Sequence, residues 1–239
     1  MLIKRTNSVN RRAAIITGVL LIAGLVTGIF SVVPVIDGPE YLIKASTNAN
    51  QVLIGAFSQL LMVVAYVGIP IMLYSILSRH NKGLALGSVA FGIIAGVFIV
   101  IGVIILLLFL TLSDEYTIAG EQNISYFHAL GELLQVGRDL VNHVATTLAF
   151  VFAMFLFNCI FYQTKLVPRW MAVSGLIGSI LSILASLLFM NHFIGLDTAY
   201  MILNIPIALQ QLVLAIWLII QGFNPMEQPI KSEISEKQV

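Results

Sequence analysis

Apolar residues run in long blocks along this chain, separated by short polar breaks, and the block length sets the first expectation. Apolar stretches cover residues 13–33, 51–77, 84–112, 141–162, 170–190 and 200–223. A bilayer core of roughly 30 Å takes about 20 helical residues, so each block is long enough to span it. The expected fold is all-α: an integral membrane bundle of six transmembrane helices, with an amphipathic extension of the fourth over residues 125–140 on the outer side. The first block is longer than a signal-peptide core and no small-residue cleavage site precedes Pro34, so it reads as an uncleaved span. Residues 34–50 read as a loop, Gly68 and Pro70 are expected to kink the second span, and the polar residues 224–239 read as a disordered tail.

Composition agrees with this pattern. Of the 239 residues 59% are hydrophobic and 10% charged, and the mean hydropathy is +1.00. No ordinary soluble domain has that balance. A net charge of +1 offers no general attraction to nucleic acid, and none is expected as a partner. The single cysteine, Cys159, makes neither an intramolecular disulfide nor a cysteine metal site and reads as a small packed residue.

The placement of the charges gives an orientation. Lys4, Arg5, Arg11, Arg12, Arg79, Lys82, Lys165, Arg169, Lys231 and Lys237 lie on the N-terminal segment 1–12, two turns and the tail, whereas the opposite loops carry only Lys44. By the positive-inside rule both termini are cytoplasmic, in a multi-pass protein of the cell membrane. The Asn123-Ile124-Ser125 sequon falls on the outer side and reads as a chance match. Small residues recur four apart: Gly24 with Gly28, Gly83 with Gly87, Gly92 with Gly96, and Ser174, Gly178, Ser182 and Ser186. Such stripes hold a bundle together, or join it to a second copy or another membrane subunit.

The segments from Leu73 to Gly92, LYSILSRHNKGLALGSVAFG, and from Lys165 to Gly178, KLVPRWMAVSGLIG, carry a resemblance. The chain resembles the bacterial multi-pass membrane family catalogued as domain of unknown function 4386, with its LY-x-x-L basic turn and a later Pro-Arg-Trp turn. Pro168, Arg169 and Trp170 match, while Met171 and Ala172 stand where that family more usually has Leu and Gly. The resemblance implies a six-span fold and no established activity, and it carries over no catalytic residue.

Candidate chemistry concentrates in His128–Thr147, HALGELLQVGRDLVNHVATT. At 100° per residue Glu132, Gln135, Asp139, Asn142, His143 and Thr146 share one sector, with Arg138 at its edge. Residues 125–162 as one helix would reach on the order of 55 Å, so part of it must leave the hydrocarbon. Counting back from the cytoplasmic end puts Asn142 and His143 near the outer boundary, with the preceding residues continuing the helix or hinging near Gly137. The second span adds Gln59 and Tyr66, and the sixth adds Asn204 and Gln211. Together these predict an outward-facing polar cavity that binds or passes a small or lipid-like ligand.

Two other function classes stay open. Asp139 and His143, four apart, with His192 of the last outer loop, have the spacing to share a metal ion such as zinc, and Glu132 could then serve a metal-bound water in an intramembrane hydrolase. Otherwise no cofactor is expected. An Asp139–His143 hydrogen bond is the simpler use of that spacing, and a structural or accessory subunit is the third class. The HExxH, GxSxG and phosphate-loop patterns are absent from the sequence, which leans the reading away from an enzyme.

Overall fold

A computed structural model describes residues 2–38, 40–119 and 124–224, with side chains from residue 10 onward. The side chains of Lys4 and Arg5, Glu121, the sequon Asn123 and the tail beyond Asn224 lie outside the described residues. Every regular element among the described residues is helical. The helices are α1 (Leu2–Phe30), α2 (Tyr41–Thr47), α3 (Ala49–Leu77), α4 (Lys82–Ala119), α5 (Ile124–Asp139), α6 (Thr147–Thr164), α7 (Arg169–Met190) and α8 (Thr198–Ile220). A short 3₁₀ turn occupies Pro34–Ile36, and a π-helical turn, Leu140–Thr146, joins α5 to α6 without a break. Six helical segments are long and apolar enough to cross a membrane, α5 to α6 counting as one. The chain is a multi-pass helical membrane protein. In hydrocarbon each backbone N–H and C=O must be satisfied within its own segment, which is why such runs form helices.

The spans close into a ring in chain order: α1 packs on α3, α3 on α4, α4 on α6, α6 on α7, α7 on α8, and α8 back on α1. The second and fourth spans, α3 and α6, also touch across the ring. With six spans the start of α1 and the end of α8 lie at one end, called here the terminal face, and the opposite end is the far face. Arg11 closes the ring at the terminal face by donating to the carbonyls of Leu218, Ile219 and Ile220 at 3.4, 2.7 and 3.2 Å. A cation there answers both the unpaired last carbonyls of α8 and the negative end of its dipole.

Several residues of the small-residue stripes pack against other helices of the bundle. A Cβ on Gly92 would lie 2.5 Å from the Pro70 ring and 3.0 Å from the Tyr66 carbonyl. That carbonyl is the one Pro70 cannot reach with an N–H, so Gly92 lets α4 close over the gap in α3. Gly96 meets Val67, Gly24 meets Ala65, and Gly178 sits against the backbone of Ile207. Outward-facing positions are instead occupied by Ile, Leu, Val and Phe, the surface a bilayer covers.

Residues 34–50 depart from the expected loop. They fold into the 3₁₀ turn and α2, which pack on the far end of α4 and on α3 through Val33, Ile36, Leu42, Ala45, Val52, Ala56, Val103, Leu106 and Phe109. Turn-like composition masked this helix because its apolar anchors are only a few residues apart. The third span is also longer than the expected 84–112, since α4 continues to Ala119 and gives α2 and α5 a surface to pack on. The far face thus carries a small helical head with its own core.

Candidate functional site

The candidate site is organised by the π-helical turn Leu140–Thr146. A π turn admits one extra residue, so its carbonyls drift off the helical ladder and become acceptors for outside donors. Thr147 Oγ1 reaches back five residues to the Asn142 carbonyl at 3.2 Å. The His143 carbonyl accepts from Ser186 Oγ of α7 at 2.8 Å and from the Tyr200 hydroxyl of α8 at 3.1 Å. One displaced carbonyl therefore ties three helices together. Of the two arrangements the sequence left open, the structure shows the continuous helix: α5 runs through Gly137, and the irregularity lies one turn later.

Around this turn the polar residues of the second, fourth and sixth spans meet. Asn142 Oδ1 and Gln59 Oε1 both approach Gly102 of α4, at 2.4 and 3.6 Å from where its Cβ would stand. Only a glycine leaves room for both. Gln59 and Thr146 are each 5% exposed, and Gln59 Oε1 and Thr146 Oγ1 find no hydrogen-bond partner among the described residues. The His143 ring stands edge-on to Tyr200 at 5.4 Å and to Phe189 at 6.3 Å. Tyr66 stacks on Phe150 with ring centroids 3.6 Å apart. Asn204 donates to the Tyr200 carbonyl of its own helix at 2.9 Å, and Gln211 is buried one and a half to two turns further along α8.

The rest of the predicted set lies on α5 and is used differently. The polar sector of α5 faces the protein: Gln135 donates to the Ile36 carbonyl, and Arg138 reaches Asp37 at 2.6 Å. Arg138, with its side chain 13% exposed, also holds Asp139 at 2.6 Å. Asp139 is therefore turned to Arg138, and the hydrogen bond expected between Asp139 and His143 is not formed. His128 likewise meets Tyr41 and Tyr116 rather than Glu132, which is exposed on the rim of the helix. Burial first, then the carboxylate of Glu132 and the nearby Tyr116, push the Tyr41 hydroxyl above its ordinary pKa. Among the described residues no three His, Cys, Asp or Glu side chains gather as a metal-holding group, and Asp139, His143 and His192 do not make one.

Several residues of the site were not singled out by sequence. Asp37 and Tyr41 lay in the expected loop, and Gly102 looked like any glycine of a packed helix. A second polar contact, Gln210 Nε2 to Asn158 Oδ1 at 3.4 Å, joins α8 to α6 deep in the bundle, with Asn158 lying flat against Gly175. The signal for it was Asn158 itself, an amide in the middle of the apolar run from Leu148 to Phe161.

A family model described as Domain of unknown function (DUF4386) matches residues 16–222. The chain belongs to this family. The match runs from the first span to the end of the sixth and so takes in the ring, the head and the π turn alike. No curated protein and no solved structure matches the chain.

Proposed function

We propose that this protein binds, or passes, a small polar or lipid-like ligand entering from the far face, at the site formed by Gln59, Asn142, His143, Thr146 and Tyr200. One observation carries the reading. Three separate spans turn polar groups toward one irregular turn, and two of those groups, Gln59 Oε1 and Thr146 Oγ1, are buried with no hydrogen-bond partner among the described residues. Leaving a buried polar atom unmade costs about 1–3 kcal/mol, a cost a fold carries where a ligand makes the missing bond. Asp37, Arg138 and Asp139 stand above it as a charged rim.

In this reading the protein sits in the cell membrane with its termini in the cytoplasm. The support is the charge distribution: the described terminal-face residues Arg11, Arg12, Arg79, Lys82, Lys165 and Arg169 are basic, against Lys44 and Arg138 toward the far face.

Native mass spectrometry of the protein released from its own membranes tests the site. The wild type is expected to retain a bound small molecule or lipid that Asn142→Ala and His143→Ala lose while keeping their helicity. Identical adduct spectra for all three proteins would count against the proposal.

A further inference from the structure

The helix α5 turns two different faces to the protein. One carries His128, Gln135 and Arg138, paired to Tyr41, Ile36 and Asp37, and beside it Phe127 and Leu134 pack on the apolar core of the head. The face turned away from the protein carries Tyr126, Ala129, Leu133, Val136 and Leu140, all exposed, with Tyr126 at 61%, Leu133 at 66% and Val136 at 53%. These five positions in four turns hold no charge, and the exposed carboxylate of Glu132 stands at the flank, between this face and the polar one. A contiguous exposed apolar face of this kind marks a contact surface.

The register against α4 says what covers it. The outward side of α4 is apolar from Leu86 through Ile93, Val97, Ile101 and Ile104 to Leu108. That run is about 33 Å long, the thickness of one hydrocarbon core. Asn142 stands opposite Gly102, Gly137 opposite Ile105 at 4.0 Å, and Phe127 opposite Tyr116 with ring centroids 5.6 Å apart. Leu140 and Val136 are thus level with the upper end of the lipid-facing run on α4 and continue it sideways. Leu133 lies about 2–3 Å above Leu108, and Tyr126 roughly 12–13 Å above it, the height of the headgroup layer where tyrosine is favoured.

We infer that the outward face of α5 is a lipid-contacting surface, and that on this side of the molecule the far leaflet rises to Leu133 rather than ending at Asn142 and His143. Acyl chains cover Leu140, Val136 and Leu133, and Tyr126 anchors among the headgroups. The π turn then lies about 14 Å below the leaflet boundary on this side. The inference stands apart from the ligand proposal, since it concerns only which solvent meets this face.

Spin labels placed singly at Val136→Cys, Leu133→Cys and Tyr126→Cys, in a Cys159→Ser background, test it in vesicles of phosphatidylethanolamine and phosphatidylglycerol. Ile104→Cys serves as the lipid reference and Glu115→Cys as the water reference. Labels at Val136 and Leu133 are expected to collide more with oxygen than with a water-soluble nickel chelate, as at Ile104, and Tyr126 should fall between the references. Chelate access at Leu133 and Val136 equal to that at Glu115 would overturn the inference. So would spin–spin broadening at Leu133 that vanishes on dilution with unlabelled protein, because a second copy would then cover the face. A Leu133→Trp variant gives an independent reading: its added fluorescence should be quenched by brominated acyl chains and not by acrylamide, and the reverse would overturn the inference.

Discussion

The hydroxyl of Tyr200 donates to the backbone carbonyl of His143 at 3.1 Å while the two rings meet edge-on at 5.4 Å and 89°. The bond exists because the π turn releases that carbonyl from its own helix, and Ser186 shares it at 2.8 Å. Removing one donor leaves the other in place. Tyr200→Phe should therefore destabilise by only about 0.5–1.5 kcal/mol, and Tyr200→Phe with Ser186→Ala by more than the sum, as the carbonyl loses its last outside partner. Reversible unfolding in mixed micelles measures both, and strict additivity would show that the two donors do not share one acceptor.

Gly102 and Gly178 predict contrasting outcomes for the same change. An alanine methyl at position 102 would meet Asn142 Oδ1 at 2.4 Å, the end of a side chain that can be shortened. Gly102→Ala should cost about 1–3 kcal/mol, most of it recovered in combination with Asn142→Ser. At position 178 the methyl would meet Ile207 backbone atoms at 2.9 Å. No single side-chain change should rescue Gly178→Ala, and a thermal melt of the double variants separates the cases.

Arg138 neutralises two carboxylates from different elements, Asp37 and Asp139. Arg138→Ala leaves the partly enclosed Asp139 and the half-exposed Asp37 without their cation, so the head should loosen by about 1–2 kcal/mol, whereas Asp37→Asn, which leaves Arg138 and Asp139 paired, should cost less. Hydrogen exchange over 34–47 and 124–139 reads the loosening. Unchanged protection in Arg138→Ala would mean that the apolar contacts alone hold α5 in place.

The Tyr41 hydroxyl contributes a dependence on alkali. Its folded pKa is raised above the ordinary tyrosine value, so the stability it lends is complete below that value and is lost as pH rises through the folded one. Protection of α2 should fall at alkaline pH in the wild type and much less in Tyr41→Phe, as read by exchange rates normalised for the intrinsic pH effect.

At the other end of the molecule, Arg11→Ala should free the last turn of α8 at a cost of roughly 0.5–1.5 kcal/mol. Arg11→Lys should restore only part, since one ammonium cannot span the carbonyls of Leu218, Ile219 and Ile220. Proteolysis near residue 220 is the readout, and equal cleavage of all three proteins would remove Arg11 from the account.

The sequence by itself determined that six helices cross a membrane, because apolar runs of that length leave the backbone no other way to satisfy its hydrogen bonds. It also determined that polar residues concentrate along one sector of the fourth helical stretch, since helical periodicity is a local property of the chain. What it could not decide is which way each face turns. The polar sector of α5 faces inward because Asp37, Ile36 and Tyr41 offer partners there, and those partners come from a helix and turn hidden in a stretch that reads as loop. Asp139 shares its spacing with His143 but its charge with Arg138, a choice made by the nearness of a guanidinium rather than by position in a heptad. The π turn itself has no signature in residue order. Only the packed bundle brings Ser186 of α7 and Tyr200 of α8 to the carbonyl of His143.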